Sequence, residues 1–100
     1  MIRVLIADDH HLIRQGLRDL LSKEPNIQIV AEATDGQDAM ETIRRVRTDV
    51  IVMDVEMPGI GGIEATRRIR ASFSEIQVVM LSMHSDPGLI RKAMDNGARG

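Results

Sequence analysis

Apolar positions along the chain gather into four short runs, and the stretches between them follow a different period. The runs are Ile2 to Ala7, Ile27 to Ala33, Asp49 to Met53 and Ile76 to Leu81. Each has strand length and is rich in Ile and Val. Between the first two, Leu12, Ile13, Leu17, Leu20 and Leu21 form a helical stripe that Pro25 stops. The next helix is predicted from Asp35, an N-cap residue type, through Ala39, Met40, Ile43 and Val46. A third carries Ile63, Thr66, Ile69 and Arg70 behind a cluster of glycines. A fourth opens at Ser85-Asp86-Pro87, carries Ile90, Ala93 and Met94, and stops at Asn96-Gly97. Strand and helix therefore alternate from end to end. Helical crossovers of this length join parallel strands, so the predicted fold is an α/β doubly wound parallel sheet covered on both faces. The nearly continuous apolar runs of the first, third and fourth strands suit such a sheet.

Composition narrows the classes. One hundred residues suit one domain, and 43% apolar residues suffice for a small core. A net charge of −2 carries no basic footprint for nucleic acid. The lack of cysteine rules out a disulfide framework and thiolate metal sites, and agrees with a cytoplasmic location. No apolar run is long enough to cross a bilayer, so no membrane role is expected. The N-terminus meets Asp8 too early for a secretory signal and reads as a strand.

Chemistry is expected where an open parallel sheet binds ligands, beyond the carboxyl ends of its strands. The first strand delivers Asp8 and Asp9 there, the third Asp54 and the fourth Ser82. Converging carboxylates repel one another and call for a cation. Mg²⁺ suits them, because it takes oxygen ligands and keeps several waters. Beside such a cation Asp54 can act as a nucleophile toward phosphorus, with Ser82 donating to a phosphoryl oxygen. Pro58, Gly59, Gly61 and Gly62 fit a loop that bends around the site. Plainer readings stand beside these. Asp8-Asp9 is a usual helix cap, Asp54 can start a turn, and Ser82 can be a loop hydroxyl. His10 and His11 read as the opening of the first helix, and His84 borders the site. The arginines of Arg44-Arg45-Val46-Arg47 and Arg67-Arg68-Ile69-Arg70 read as solvated helix faces.

The stretches VLIADDHHLIRQGLRDLL, DVIVMDVEMPGIGGIEATRRIR, VVMLSMHSD and AMDNGARG together resemble the receiver domain of bacterial two-component response regulators, of the NarL/FixJ type. The likeness covers the whole chain, residues 1–100. It implies a flavodoxin-like receiver fold with strand order 2-1-3-4. It implies that Asp54 is the phosphoacceptor and that Asp8 and Asp9 are the acidic pair, Asp9 binding Mg²⁺ directly and Asp8 through water. Glu56 would offer its backbone carbonyl to the metal, and Ser82 would be the switch hydroxyl. Met83 and His84 would influence access to the phosphoryl group. The implied partners are a sensor histidine kinase and a second copy in a homodimer. DNA would be reached only through a domain not present in this chain.

The family also has a fifth strand and helix, which bring an aromatic residue and a Lys. The chain reaches Ala98-Arg99-Gly100 where that strand would begin, so the fifth unit is expected to be absent and the domain C-terminally incomplete. Phe73 and Lys92 lie in the wrong places to substitute. From this follows an expectation of strand 4 as an exposed edge and of a chain that associates rather than persisting as a monomer. Two other functions are compatible with the pattern: an interaction domain that keeps the fold without phosphorylation, and a haloacid-dehalogenase-type phosphohydrolase. The latter expects Asp-x-Asp where this chain has Asp54-Val55-Glu56.

Overall fold

The computed structural model describes residues 1–81 and the backbone of Ala98 and Arg99. The elements run β1 (Ile2–Ala7), α1 (His11–Ser22), β2 (Ile27–Ala33), α2 (Gly36–Ile43), β3 (Val50–Asp54), α3 (Gly61–Ser72), β4 (Gln77–Leu81) and β5 (Ala98–Arg99). The four long strands fall within one residue of the expected runs. The expected fourth helix lies outside the described residues.

The sheet is wholly parallel, ordered β2-β1-β3-β4-β5. The order 2-1-3-4 is the expected one. Beyond it the sheet goes one strand further than anticipated. Ala98 and Arg99 pair with Val78 and Val79, so the fifth strand is begun rather than absent. The outer backbone groups of β4 favour this, because a parallel neighbour satisfies N–H and C=O groups that an edge leaves open.

Topology assigns the faces. The chain steps one way from β1 to β2, then back past β1 to β3 and on to β4. Right-handed crossovers for opposite steps put α1 on one face and α2 with α3 on the other. Side chains follow this alternation. Leu5, Ile51, Met53, Val78 and Met80 join Ala39 and Ile43 of α2 and Ala65 and Ile69 of α3 in the buried core. On α1's face Val4 and Ile6 are buried, whereas Val50, Val52 and Val79 are only half-buried.

Local chemistry sets the ends. The Asp35 carboxylate caps α2 by accepting the Asp38 N–H at 2.7 Å, and Asp38 accepts the Thr34 N–H at 3.2 Å. Helix α2 stops at Ile43, short of the expected Val46, which is half-buried in the following turn. Helix α1 departs from its expected stripe: Ile13, Leu17 and Leu21 are half-buried, but Leu12 and Leu20 are 79% and 62% exposed. In β2, Val4 pairs with Ile29 but Leu5 with Ala31, so Val30 is an extra residue that shifts the register.

Candidate functional site

Strands β1 and β3 are neighbours, with Ala7 opposite Met53, so Asp8 and Asp54 leave the sheet side by side. Asp8 continues the ladder through its N–H to the Ala33 carbonyl at 3.0 Å. By alternation, Asp8 follows Val4 and Ile6, and Asp54 follows Val50 and Val52. Both carboxylates therefore belong to α1's side of the sheet, at its upper rim. The start of α1 carries His10 over them.

Four residues meet in this crevice. One ligand atom from each of Asp8, Asp9, His10 and Asp54 lies within 4.8 Å of all the others. Asp8 and Asp54 are buried, Asp9 and His10 exposed. His10 Nδ1 stands 2.9 Å from Asp8 Oδ1, 3.1 Å from Asp9 Oδ1 and 3.8 Å from Asp54 Oδ2. The His10 N–H also donates to Asp8 Oδ1 at 2.8 Å.

The two oxygens of Asp54 differ. Oδ1 accepts the Glu56 N–H at 3.1 Å. Oδ2 is buried and has no hydrogen-bond partner among the described residues. Burial pushes the Asp54 carboxyl up to about 6, helped by the charges of Asp8 and Asp9 and opposed by the Glu56 N–H and His10. His10 is also raised, first by its hydrogen bond to Asp8 and then by the charge of Asp9. A buried oxygen without a donor, beside two more carboxylates, is what a cation site requires of its ligands.

The loop after Asp54 is fixed by backbone contacts. The Val55 N–H donates to Leu81 at 2.9 Å and the Gly62 N–H to Val55 at 3.0 Å. Val55 and Met57 are buried while Glu56 is exposed between them. Gly59 and Gly61 have φ of +80° and +75°, which glycine adopts without strain. Gly62 is required for a different reason: a Cβ there would fall 2.0 Å from the Asp54 carbonyl oxygen. Helix α3 thus starts in direct contact with the backbone that carries Asp54.

The expected Asp8, Asp9 and Asp54 come together, and Glu56 brings its backbone against the last of them. Ser82, Met83 and His84 lie outside the described residues. Sequence reading missed His10, whose place before a predicted helix gave it a sufficient reason to be there. It also missed Arg14, which donates to the Asp8 carbonyl at 2.7 Å and to Glu32 Oε1 at 3.2 Å. Arg18 joins it on Glu32, and together they tie α1 to β1 and β2. The α3 arginines are less free than a solvated face implies: Arg67 and Arg68 share Glu64, and Arg70 donates to Ser74 and Ile76.

Comparison with known proteins agrees with this geometry. The family described as response regulator receiver domain matches residues 4–100. Response regulator UvrY of Escherichia coli (strain K12) is 45% identical over 100 residues, covering 100% of this chain and 46% of that protein. The chain therefore spans about half the length of this curated relative. A LuxR-family two-component response regulator from Aurantimonas sp. SI85-9A1 superposes with a TM-score of 0.91 at 38% identity, over 96% of this chain and 69% of that one. The isolated REC domain of RcsB from Salmonella enterica serovar Typhimurium, solved with the phosphomimetic BeF₃⁻, superposes with a TM-score of 0.90 at 25% identity, over 97% and 72%. With residues 4–100 of this chain matched by the family and the acidic residues gathered at the strand ends, this chain belongs to the response regulator receiver domains of the NarL/FixJ type, and is a receiver rather than a conventional enzyme.

Proposed function

We propose that the chain is the phosphoacceptor module of a longer, cytoplasmic, DNA-binding transcriptional regulator, and that Asp54 takes a phosphoryl group from a sensor histidine kinase. The observation that carries this reading is Asp54 Oδ2: buried, unpartnered among the described residues and directed at the acidic crevice. The Glu56 N–H occupies Oδ1, which leaves Oδ2 as the attacking atom. Its bond to phosphorus forms as the phosphorus–nitrogen bond of a phosphohistidine breaks, and the imidazole leaves with the electron pair. With a pKa of about 6, Asp54 is mostly ionised at neutral pH and available as a nucleophile.

The carboxylates of Asp8, Asp9 and Asp54 fit Mg²⁺; Asp9, Asp54 and the Glu56 carbonyl would hold it directly and Asp8 through water. Bound there, Mg²⁺ would supply positive charge against the oxygens of the incoming phosphoryl group. Asp8 is buried and held by the His10 backbone, which suits an orienting role; Asp9 is exposed and can reach an ion directly. Leu81 pairs with Asp54, and the next residue in sequence is Ser82, the proposed switch hydroxyl. Met83 and His84 follow as the proposed modulators of access. Phosphorylation would then alter contacts with a second copy and with the DNA-binding part of the longer protein.

Incubation with a small acyl phosphate and Mg²⁺ should place one acid-stable, base-labile phosphoryl group on Asp54, read by intact mass. Asp54→Asn should abolish the label. A chain that remains unlabelled at every donor and Mg²⁺ concentration would overturn the reading.

A further inference from the structure

His10 stands at the N-cap of α1 but makes no side-chain capping bond there. Its ring turns into the crevice instead. Nδ1 lies 2.9 Å and 3.1 Å from one oxygen each of Asp8 and Asp9, and 3.8 Å from Asp54 Oδ2. These separations have a specific meaning for a metal site. With bonds of about 2.1 Å, adjacent ligands of an octahedral ion lie about 3.0 Å apart. The His10–Asp9 distance falls at that edge length and the His10–Asp54 distance is somewhat longer, while the 2.9 Å contact with Asp8 is a hydrogen bond to a residue that would reach the ion through water. Asp54 Oδ2, with a side chain only 3% exposed and no hydrogen-bond partner among the described residues, faces the same point. The His10 side chain is 56% exposed, so a small swing that turns its lone pair to an ion meets little steric resistance.

We propose that His10 is a nitrogen ligand of the crevice and makes it favour a borderline divalent cation of the Mn²⁺, Co²⁺ or Zn²⁺ class over Mg²⁺. The proposal rests on the reading of the crevice as a cation site. Oxygen ligands alone suit Mg²⁺, which sheds water reluctantly and gains little from imidazole. Imidazole suits the later first-row ions, whose affinity for mixed nitrogen and oxygen sites also rises along the series. One ring nitrogen added to the carboxylates therefore shifts selectivity without changing the charge the site presents.

The test measures Mn²⁺ and Mg²⁺ binding to this chain and to His10→Gln by calorimetry. It adds electron paramagnetic resonance of bound Mn²⁺ on chain carrying ¹⁵N-histidine. The ratio of Mn²⁺ to Mg²⁺ affinity should fall by roughly tenfold in His10→Gln. Nitrogen hyperfine coupling should be present in the parent, present in His11→Gln and lost in His10→Gln. An unchanged ratio, or no nitrogen coupling in the parent, overturns the assignment of His10 even if the replaced chain folds poorly. If Mg²⁺ still binds and Asp54 is still labelled in that case, the phosphoacceptor reading survives. If neither ion binds and Asp54 takes no label, both fall.

Discussion

The two faces of the sheet are built from similar residues and end in different states. On the side of α2 and α3, Leu5, Ile51, Met53, Val78, Ala39, Ala65 and Ile69 are essentially sealed from solvent. On the other side, among the described residues, α1 is the only helix and it buries none of its residues fully. Valines of β3 and β4 that face this way remain half-buried. The difference follows topology: among the described residues, the crossovers through α2 and α3 lie on one face and the crossover through α1 on the other. Stability is therefore concentrated on the closed face. The acidic crevice lies at the rim of the less buried one, below the start of α1. Sites that must admit a reactant are commonly placed where packing is less complete.

The largest break in this contrast should come from Gly62→Ala. Its methyl would sit 2.0 Å from the Asp54 carbonyl oxygen, so α3 must leave the closed face or the β3 end must move. We expect a loss of about 4 kcal/mol or more in urea unfolding, or a failure to fold. A native urea midpoint would contradict the contact.

Adjacent valines of β4 sharpen the comparison, being alike in type and opposite in face. Val78 is fully buried and Val79 half-buried. Val78→Ala should cost about 2 to 3 kcal/mol and Val79→Ala less than about 1 kcal/mol. Equal shifts in the unfolding midpoint would mean that the faces are energetically alike.

Asp54 tests the rim. Its folded pKa of about 6 lies above the ordinary carboxylate value, so its contribution to stability is full below about pH 4 and is lost as pH rises through 6. Asp54→Asn has no such loss. Without divalent ions, the variant should therefore gain on the parent between pH 4 and pH 7.5, by on the order of 2 kcal/mol. Thermal melts across that range check it, and a gap between the two that stays constant with pH would count against burial of the charge.

The smallest effect is expected on the outside of α1. Leu12→Gln and Leu20→Gln replace side chains that are 79% and 62% exposed, and each should change stability by no more than about 0.5 kcal/mol. A larger loss for Leu20 would show that the helical stripe read from the sequence is closed by a neighbouring surface in solution.

The sequence by itself determined the alternation of strands and helices, the four long strands to within one residue, the Asp35 cap and the delivery of Asp8, Asp9 and Asp54 to the same edge of the sheet. These depend on short-range periodicity, on local capping chemistry and on the rule that parallel strands end together. Tertiary structure alone decided which half of the α1 stripe is covered, because a helical period shows that a face is apolar and not what will lie against it. It decided that Gly62 is needed for the approach of α3 to Asp54, where the sequence suggested only a pliable loop. It brought Arg14 and Arg18 onto Glu32, turned His10 from a helix opener into a neighbour of three carboxylates, and began β5 on the free side of β4. Apart from the pairing of His10 with its sequence neighbours Asp8 and Asp9, these join residues separated in sequence but adjacent through sheet register or helix docking, and no local propensity encodes that adjacency.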